Sequence, residues 1–135
     1  MSVQFSVAVR NGRLDSIEVT IGASAILKIR TGAPPANCAA ADSGTVLSTL
    51  NLPSDYMADA SGGSKAMAGV WEDLSADATG DAGHYRVYAS DGTTCHEQGT
   101  VTITGGGGDM TVDNPSFAAG QGFNVTSFTH TDGNA

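Results

Sequence analysis

Cysteine and histidine are the side chains of this sequence best suited to chemistry at neutral pH, and they are few. Cys38 and Cys95 lie 57 positions apart, and neither belongs to the Cys-x-x-C pair of a zinc or redox site. On a strand, Cys95 and its neighbour His96 would point to opposite faces, so they would not act on one substrate unless a bulge re-aimed one of them. His84 and His130 show no spacing typical of metal ligands. We therefore expect no catalytic residues, no metal and no cofactor.

Two further patterns resemble ligand sites without meeting their requirements. Asp73, Asp77 and Asp81 recur every four residues, but the alternating ligands, central glycine and closing glutamate of a calcium loop are missing. The glycine run 105–108 is not followed by the lysine and hydroxyl residue of a phosphate-binding loop. These patterns predict a solvated acidic loop and a flexible joint between strands.

The redox state of the two cysteines is left open by the sequence. A reducing cytoplasm favours two buried thiols, whereas oxidising surroundings would permit a bond between Cys38 and Cys95. In either case we expect Cys38 in a tethered loop and Cys95 in a strand. Burial predicts that both native thiols react slowly with labelling reagents.

Charge is distributed unevenly along this acidic chain. The 135 residues carry a formal net charge of −8, and 15% of the positions are charged. Such a field repels a nucleic-acid backbone, so we expect no nucleic-acid binding. Residues 1–30 hold four basic and two acidic side chains, whereas residues 31–135 hold two basic and twelve acidic ones. The basic start reflects either chance clustering or an acidic surface on a partner.

The first periodic segment predicts a short amphipathic helix over residues 7–21, ended by Gly22. In the competing interpretation, residues 3–9 and 17–21 are two strands joined by a turn at 11–12. A single helix of this length is marginal in water, so its apolar stripe must pack against this domain or against a neighbour. The residues that share this helical face are Arg10, Leu14, Ile17 and Ile21.

From residue 23 onward the pattern changes to the period of two that is typical of strands. Asp91 and Gly92 predict a hairpin turn between two of these strands, and Trp71 is expected in the core at the end of a strand over 66–71. Several short strands joined by Gly, Pro, Asp and Asn predict a mainly β fold, a β-sandwich or jelly roll with a short N-terminal helix. The other segments that read as strands are 24–31, 45–52, 84–90, 93–104 and 121–131.

The length and composition predict one core. A chain of 135 residues with 40% hydrophobic positions is near the usual size of a single domain. We expect an N-terminal arm or helix over residues 1–22 and a β-sandwich domain over residues 23–135. The start of the sequence lacks the pattern of a signal peptide, and no apolar run reaches the length of a membrane span. We therefore expect synthesis in a cytoplasm and no membrane partner.

Three segments of the sequence carry a family resemblance. Residues 27–47, 106–114 and 125–134 resemble small virion proteins from the structural gene clusters of tailed bacteriophages and prophages. The likeness extends over nearly the whole chain and includes no catalytic motif. It implies a component of the assembled virion, made in the host cytoplasm.

The resemblance implies two alternative places in the particle. The first is a head decoration (cement) protein that binds the major capsid protein and stabilises the shell, with self-association as a dimer or trimer. The second is a tail or fibre component that binds a receptor or glycan. A glycan hydrolase is disfavoured, because one Trp and three Tyr leave little for an aromatic-lined cleft.

The N-terminal segment is the interface that we predict. In one hypothesis it is an arm whose stripe docks outside the domain, on a capsid or a neighbouring subunit. In the other it packs on its own sandwich and completes the core. The predicted interface residues are Arg10, Arg13, Leu14, Ile17 and Ile21.

Overall fold

The computed structural model of the chain describes residues 3–132. Residues 1–2 of the expected arm (1–22) and residues 133–135 of the expected domain (23–135) therefore lie outside the described range. Within that range no helix is long and apolar enough to cross a membrane. The elements are α1 (Val7–Ile21), β1 (Ile26–Thr31), β2 (Val46–Asn51), β3 (Ser64–Ala66), β4 (Glu72–Asp73), β5 (Gly80–Tyr88), β6 (Cys95–Ile103), β7 (Met110–Val112), β8 (Ser116–Phe117) and β9 (Phe123–Thr131).

The N-terminal helix forms as the spacing predicts, and the hairpin alternative is wrong. Ser6 begins helix α1 as its N-cap, and its hydroxyl accepts a hydrogen bond from the backbone N–H of Val9 at 3.3 Å. Gly22 ends the helix with a φ of 90°, a left-handed conformation that costs a glycine little. The local signals of a start and a stop thus outweigh the β-branched Val19 and Thr20, which weaken the helix.

The strands form one mixed sheet that folds over itself. Its hydrogen-bonded order is β2-β1-β5-β6-β7-β9-β3, with β4 added beside β9 and β8 beside β5. Strands β5 and β9 are not neighbours in this order, yet the rings of Tyr85 and Phe128 lie 5.3 Å apart. The part of the sheet that contains β5 therefore faces the part that contains β9 across a common core. This confirms the mainly β, sandwich-like fold with a short N-terminal helix.

The core fills the space between the folded halves of the sheet. Alternation in β1 is confirmed, since Ala25, Leu27 and Ile29 are all completely buried. Trp71 is also buried, but the strand expected over 66–71 is wrong. The strand ends at Ala66, and the Trp71 indole N–H donates to the carbonyl of Ala68 at 3.1 Å. That bond satisfies the indole within a non-repetitive segment.

The glycine run makes an unusually short parallel connection. Strands β6 and β7 pair in parallel, Val101 beside Met110 and Ile103 beside Val112, although parallel neighbours usually need a long crossover. A Cβ atom on Gly106 would lie 2.7 Å from the Thr102 hydroxyl oxygen, and one on Gly108 2.9 Å from the Thr102 backbone nitrogen. Only glycines allow the chain to fold back this closely. The run is a joint between strands, as predicted, and it is tightly fitted.

Candidate functional site

The predicted interface residues lie mostly inside this chain. Leu14 and Ile21 are buried, and Ile17 packs against the core. Within this chain the stripe packs against the chain's own core, as the second hypothesis expects, and a contact of the helix with a partner stays a prediction. Arg10 is buried too, and its Nη1 donates to the Asp132 carbonyl at 2.9 Å. Arg13 is exposed, so its part in an interface stays a prediction.

A buried lysine binds the helix to the sheet. The Lys65 ammonium on β3 lies 2.7 Å from a carboxylate oxygen of Asp15 and 2.7 Å from one of Glu18, both on α1. It also donates to the Ala58 carbonyl at 2.9 Å. Burial disfavours the charged lysine, but the hydrogen bonds that it donates to Asp15 and Glu18 outweigh burial and raise the pKa of Lys65. The helix is thus attached through both charge and apolar packing.

Burial of the basic side chains leaves an acidic surface. Arg10, Arg30, Lys65 and Arg86 are all buried. Among the described residues, Arg13 is the one exposed basic side chain against nine exposed acidic ones. Of the four basic side chains in residues 1–30, Arg13 alone is exposed, which favours the chance-clustering alternative. The exposed acidic residues are Asp42, Asp55, Asp59, Glu72, Asp77, Asp81, Asp91, Asp109 and Asp113.

An open cleft of about 470 Å³ lies between helix α1 and strands β6 and β9. At its centre the Glu97 carboxylate accepts a hydrogen bond from the Tyr85 hydroxyl at 2.6 Å and contacts His130 Nε2 at 2.8 Å. Burial, together with the Glu97 charge, raises the pKa of Tyr85, which stays a neutral donor. The side chains that line the cleft include Leu14, Ile17, His96, Glu97, Asp109, Phe128 and His130.

Glu97 acts as an internal junction in this cleft, since both of its oxygens are engaged by neighbours. Gly99 makes room for this arrangement, because a Cβ there would lie 2.8 Å from Asp109 Oδ2 and 2.9 Å from the Tyr85 hydroxyl. His96 and Asp109 are exposed, and Asp109 accepts from Thr100 at 3.0 Å. The cleft offers hydrogen-bond donors and acceptors to a polar ligand. Within residues 3–132 no group of three metal-ligating side chains is assembled.

A β-bulge separates the adjacent Cys95 and His96. Tyr88 pairs with Cys95, whereas Val87 pairs with Glu97, so His96 is the extra residue in β6. Paired residues share a face of the sheet. Cys95 therefore lies with Tyr88 on one face, while His96 and Glu97 line the cleft on the other. The two side chains thus lie on opposite faces, as strand alternation predicts, and the bulge does not bring them together.

The second face of β1, β5 and β6 holds a polar cluster that the sequence did not reveal. Residues 32–45, the covering loop, lie over it. Arg86 Nη1 donates to Asp42 Oδ1 at 2.8 Å, and Arg86 Nη2 donates to the Asn37 carbonyl at 2.9 Å. Arg30 also contacts Asp42, at 3.1 Å, and Tyr88 donates to it at 2.7 Å. One loop carboxylate thus joins two strand arginines and a tyrosine.

The covering loop also brings the two cysteines together. Cys38 lies in this loop and Cys95 in β6, as predicted, and their sulfur atoms are 2.8 Å apart. Both are free cysteines and half-buried, so they are more accessible than the buried thiols that the sequence predicts. Burial, and then the hydrogen bond with Cys38, raise the pKa of the Cys95 thiol to about 12.

The three aspartates of the acidic segment serve separate turns. Asp73 accepts hydrogen bonds from the Ser48 hydroxyl and from the backbone of Ser75. Asp81 accepts from the Ser116 hydroxyl at 2.8 Å, and Asp77 is exposed. Their side chains do not form a common cation site.

The sequence carried one overlooked signal of the polar cluster. Arg86 alternates with apolar residues on a strand and is flanked by Tyr85 and Val87, which indicates a face that something polar must cover. His84, on the same strand, contacts the Gly32 carbonyl at 2.9 Å. Which segment covers the face depends on tertiary contacts.

In comparisons with known proteins, no family model, curated protein or solved structure matches this chain.

Proposed function

We propose that this chain is a non-enzymatic structural protein of a tailed-bacteriophage particle, and that it decorates the head as a cement protein. The observation that carries the proposal is the resemblance of residues 27–47, 106–114 and 125–134 to small virion proteins. These segments include β1, the covering loop, β7 and most of β9. They belong to different parts of the sheet, so the likeness concerns the whole domain and not one turn.

The surface charge supports a particular kind of partner. Within residues 3–132 nine acidic residues are exposed against one exposed arginine. Such a surface favours a partner with basic or uncharged polar patches and repels nucleic acid. The proposed partner is the major capsid protein, on the outer surface of the shell. Self-association as a dimer or trimer and location in the virion after synthesis in the host cytoplasm belong to the same proposal.

Copy number in purified particles tests this proposal. Isotope-labelled peptides of this chain and of the major capsid protein would be used to measure their molar ratio by mass spectrometry. A head decoration protein should approach a fixed fraction of the capsid subunits, with hundreds of copies per particle. A portal or tail-tip protein measured in the same sample is the low-copy control. A ratio equal to that control would contradict the decoration proposal.

The cleft favours a second candidate, a tail or fibre component that binds a host glycan. Its volume of about 470 Å³ is within the range of small-ligand sites, and its polar groups suit hydroxyl-rich ligands. Oligosaccharides released from the host surface should then raise the melting temperature of the wild type but not of His96→Ala. His96 is exposed, so this substitution should leave the fold intact. Unchanged melting of both proteins would contradict glycan binding.

A further inference from the structure

The cysteine pair is the feature of this molecule that the proposed function leaves unused. The sulfur atoms of Cys38 and Cys95 are 2.8 Å apart, closer than non-bonded sulfur atoms usually lie. A disulfide needs about 2.05 Å between them. The two thiols thus face each other with little movement required. Both residues are partly exposed, so a small molecule in solution can reach them.

The protein holds Cys38 in this position from both sides. Gln98 Nε2 donates to the Pro35 carbonyl at 2.6 Å, and Arg86 Nη2 donates to the Asn37 carbonyl at 2.9 Å. The Asn37 side chain accepts hydrogen bonds from the backbone N–H of Ala39 and Ala40, each at 3.0 Å. Cys38 therefore lies in a turn fixed to strands β5 and β6. This preorganisation favours reaction between the two sulfurs over reaction with other molecules.

We propose that Cys38 and Cys95 are a disulfide-forming pair, oxidised by a low-molecular-weight disulfide such as oxidised glutathione. In the first step the Cys38 thiolate attacks one sulfur of glutathione disulfide, and one glutathione leaves with the proton lost by Cys38. In the second step Cys95 loses its proton and attacks the Cys38 sulfur of the mixed disulfide. The second glutathione leaves and takes up that proton. The protein dithiol is oxidised, and glutathione disulfide is reduced to two glutathione molecules.

The order of the two steps follows from the surroundings of the thiols. Because the pKa of Cys95 is raised to about 12, Cys95 is almost entirely protonated at neutral pH. The Cys95 thiol also donates its hydrogen to Cys38 Sγ at 2.8 Å, so the first attack falls to Cys38. The resulting bond would join the covering loop to β6 and close a large loop in the unfolded chain. Such a constraint stabilises the native state.

Peptide mapping of the oxidised wild type tests the proposal. The reduced protein is incubated with oxidised glutathione, denatured, treated with an alkylating reagent and digested with trypsin. Cleavage after Arg30, Lys65 and Arg86 places Cys38 in peptide 31–65 and Cys95 in peptide 87–135. We expect these peptides to be joined, unalkylated and separable by a reductant. Alkylation of both cysteines, glutathione left on each of them, or a cross-link between two chains would overturn the proposal.

Single serine variants supply the matched control. In Cys38→Ser and Cys95→Ser the remaining cysteine can form only a mixed disulfide, so no joined peptides should appear. The oxidised wild type should melt roughly 10 °C above its reduced form, whereas each variant should be insensitive to oxidation. An oxidised wild type that melts at the same temperature as the reduced protein would contradict the stabilising cross-link. Peptide mapping of the wild type remains decisive even if a variant folds poorly.

Discussion

Helix α1 and the covering loop are attached to the same sheet by different means. Each is joined to it by a buried cation, Lys65 beneath the helix and Arg86 beneath the loop. The helix also contributes buried Leu14 and Ile21 to the molecule's interior. By contrast, none of the fourteen residues 32–45, all of which the structure describes, is fully buried. The loop is therefore attached mainly by polar contacts.

Because of this difference, the two attachments should respond to different changes in sequence and in pH. Apolar burial contributes roughly 1.5 to 3 kcal/mol for each large side chain and does not depend on pH. Charged contacts are worth most when every partner is present, and removal of one partner leaves the others unsatisfied. The loop should thus respond strongly to single polar substitutions and to acid, and the helix to apolar ones.

Substitution of Arg86 should have the largest effect. Arg86→Ala removes the donor to the Gln98 side chain and to the Asn37 carbonyl, and one of the two arginines that contact Asp42. We expect the free energy of unfolding to fall by about 4 kcal/mol, as measured by urea denaturation. Arg13→Ala is the control, because Arg13 forms an exposed ion pair with Asp132 and should cost less than about 1 kcal/mol. Equal losses in the two variants would refute the central role of Arg86.

Truncation of the helix stripe should have the next largest effect. Leu14→Ala removes a side chain that is 4% exposed, whereas Val19 on the same helix is 82% exposed. Loss of transfer free energy and formation of a cavity should cost about 3 kcal/mol in Leu14→Ala. Val19→Ala should change stability by less than about 0.5 kcal/mol. The same urea titration checks both variants, and similar midpoints would mean that the helix does not complete the core.

The contrast between the two attachments also marks how far the sequence allows prediction. The helical spacing of Leu14, Ile17 and Ile21 was enough to predict α1, because periodicity is a local property. The spacing did not predict the surface that the helix packs against, because the partners of α1 are distant in sequence. Glu18, for example, accepts from the backbone N–H of Met57 and pairs with Lys65. An apolar stripe that packs on its own core has the same sequence pattern as a stripe that binds a partner.

The polar face escaped prediction for a related reason. Period-two alternation in β5 indicated Tyr85 and Val87 on the core side and Arg86 and Tyr88 on the other, but this other side is buried as well. Its cover comes from Asp42, 44 positions before Arg86. The bulge at His96 could not be predicted either, because it arises from the pairing of β6 with β5 and not from the residue type at position 96. Local patterns therefore predicted the elements, and long-range contacts decided the candidate site.

Acid should loosen the covering loop before the helix. Partial burial of Asp42 raises its pKa, but hydrogen bonds from Tyr88 and Arg86 hold it below its usual value. A carboxyl whose pKa is lowered by folding stabilises the native state above its unfolded pKa of about 4. That contribution is lost as the pH falls through the lower, folded value. After correction for the intrinsic pH dependence of amide exchange, amides in residues 32–45 should therefore exchange faster below about pH 4.

The variant Asp42→Asn separates charge from shape in this test. The asparagine of this variant retains an acceptor for the Tyr88 hydroxyl but has no carboxyl to protonate. The difference in stability between the wild type and Asp42→Asn should therefore become smaller as the pH falls from neutral. Acid also protonates Asp15 on the helix, whose pKa is lowered by its hydrogen bond with Lys65. Helix amides should still show a smaller change, because buried Leu14 and Ile21 continue to hold α1 at any pH. Equal acceleration of exchange in both regions would contradict the comparison.

The smallest expected effect concerns a turn that belongs to neither attachment. Asp91 accepts hydrogen bonds from the backbone N–H groups of Thr93 and Thr94, each at 2.9 Å. The side-chain hydrogen bond from Thr94, followed by these backbone bonds, lowers the pKa of Asp91 to about 2. Asp91→Ala should therefore cost a little stability at neutral pH and nothing once the pH is below about 2, where the wild-type carboxyl is itself protonated. Thermal melts of both proteins at neutral and acidic pH measure this. Because Asp91 is exposed, Asp91→Ala should lose less stability than Arg86→Ala or Leu14→Ala. A larger loss of stability in Asp91→Ala would mean that the β5–β6 turn, and not the buried attachments, limits the stability of the fold.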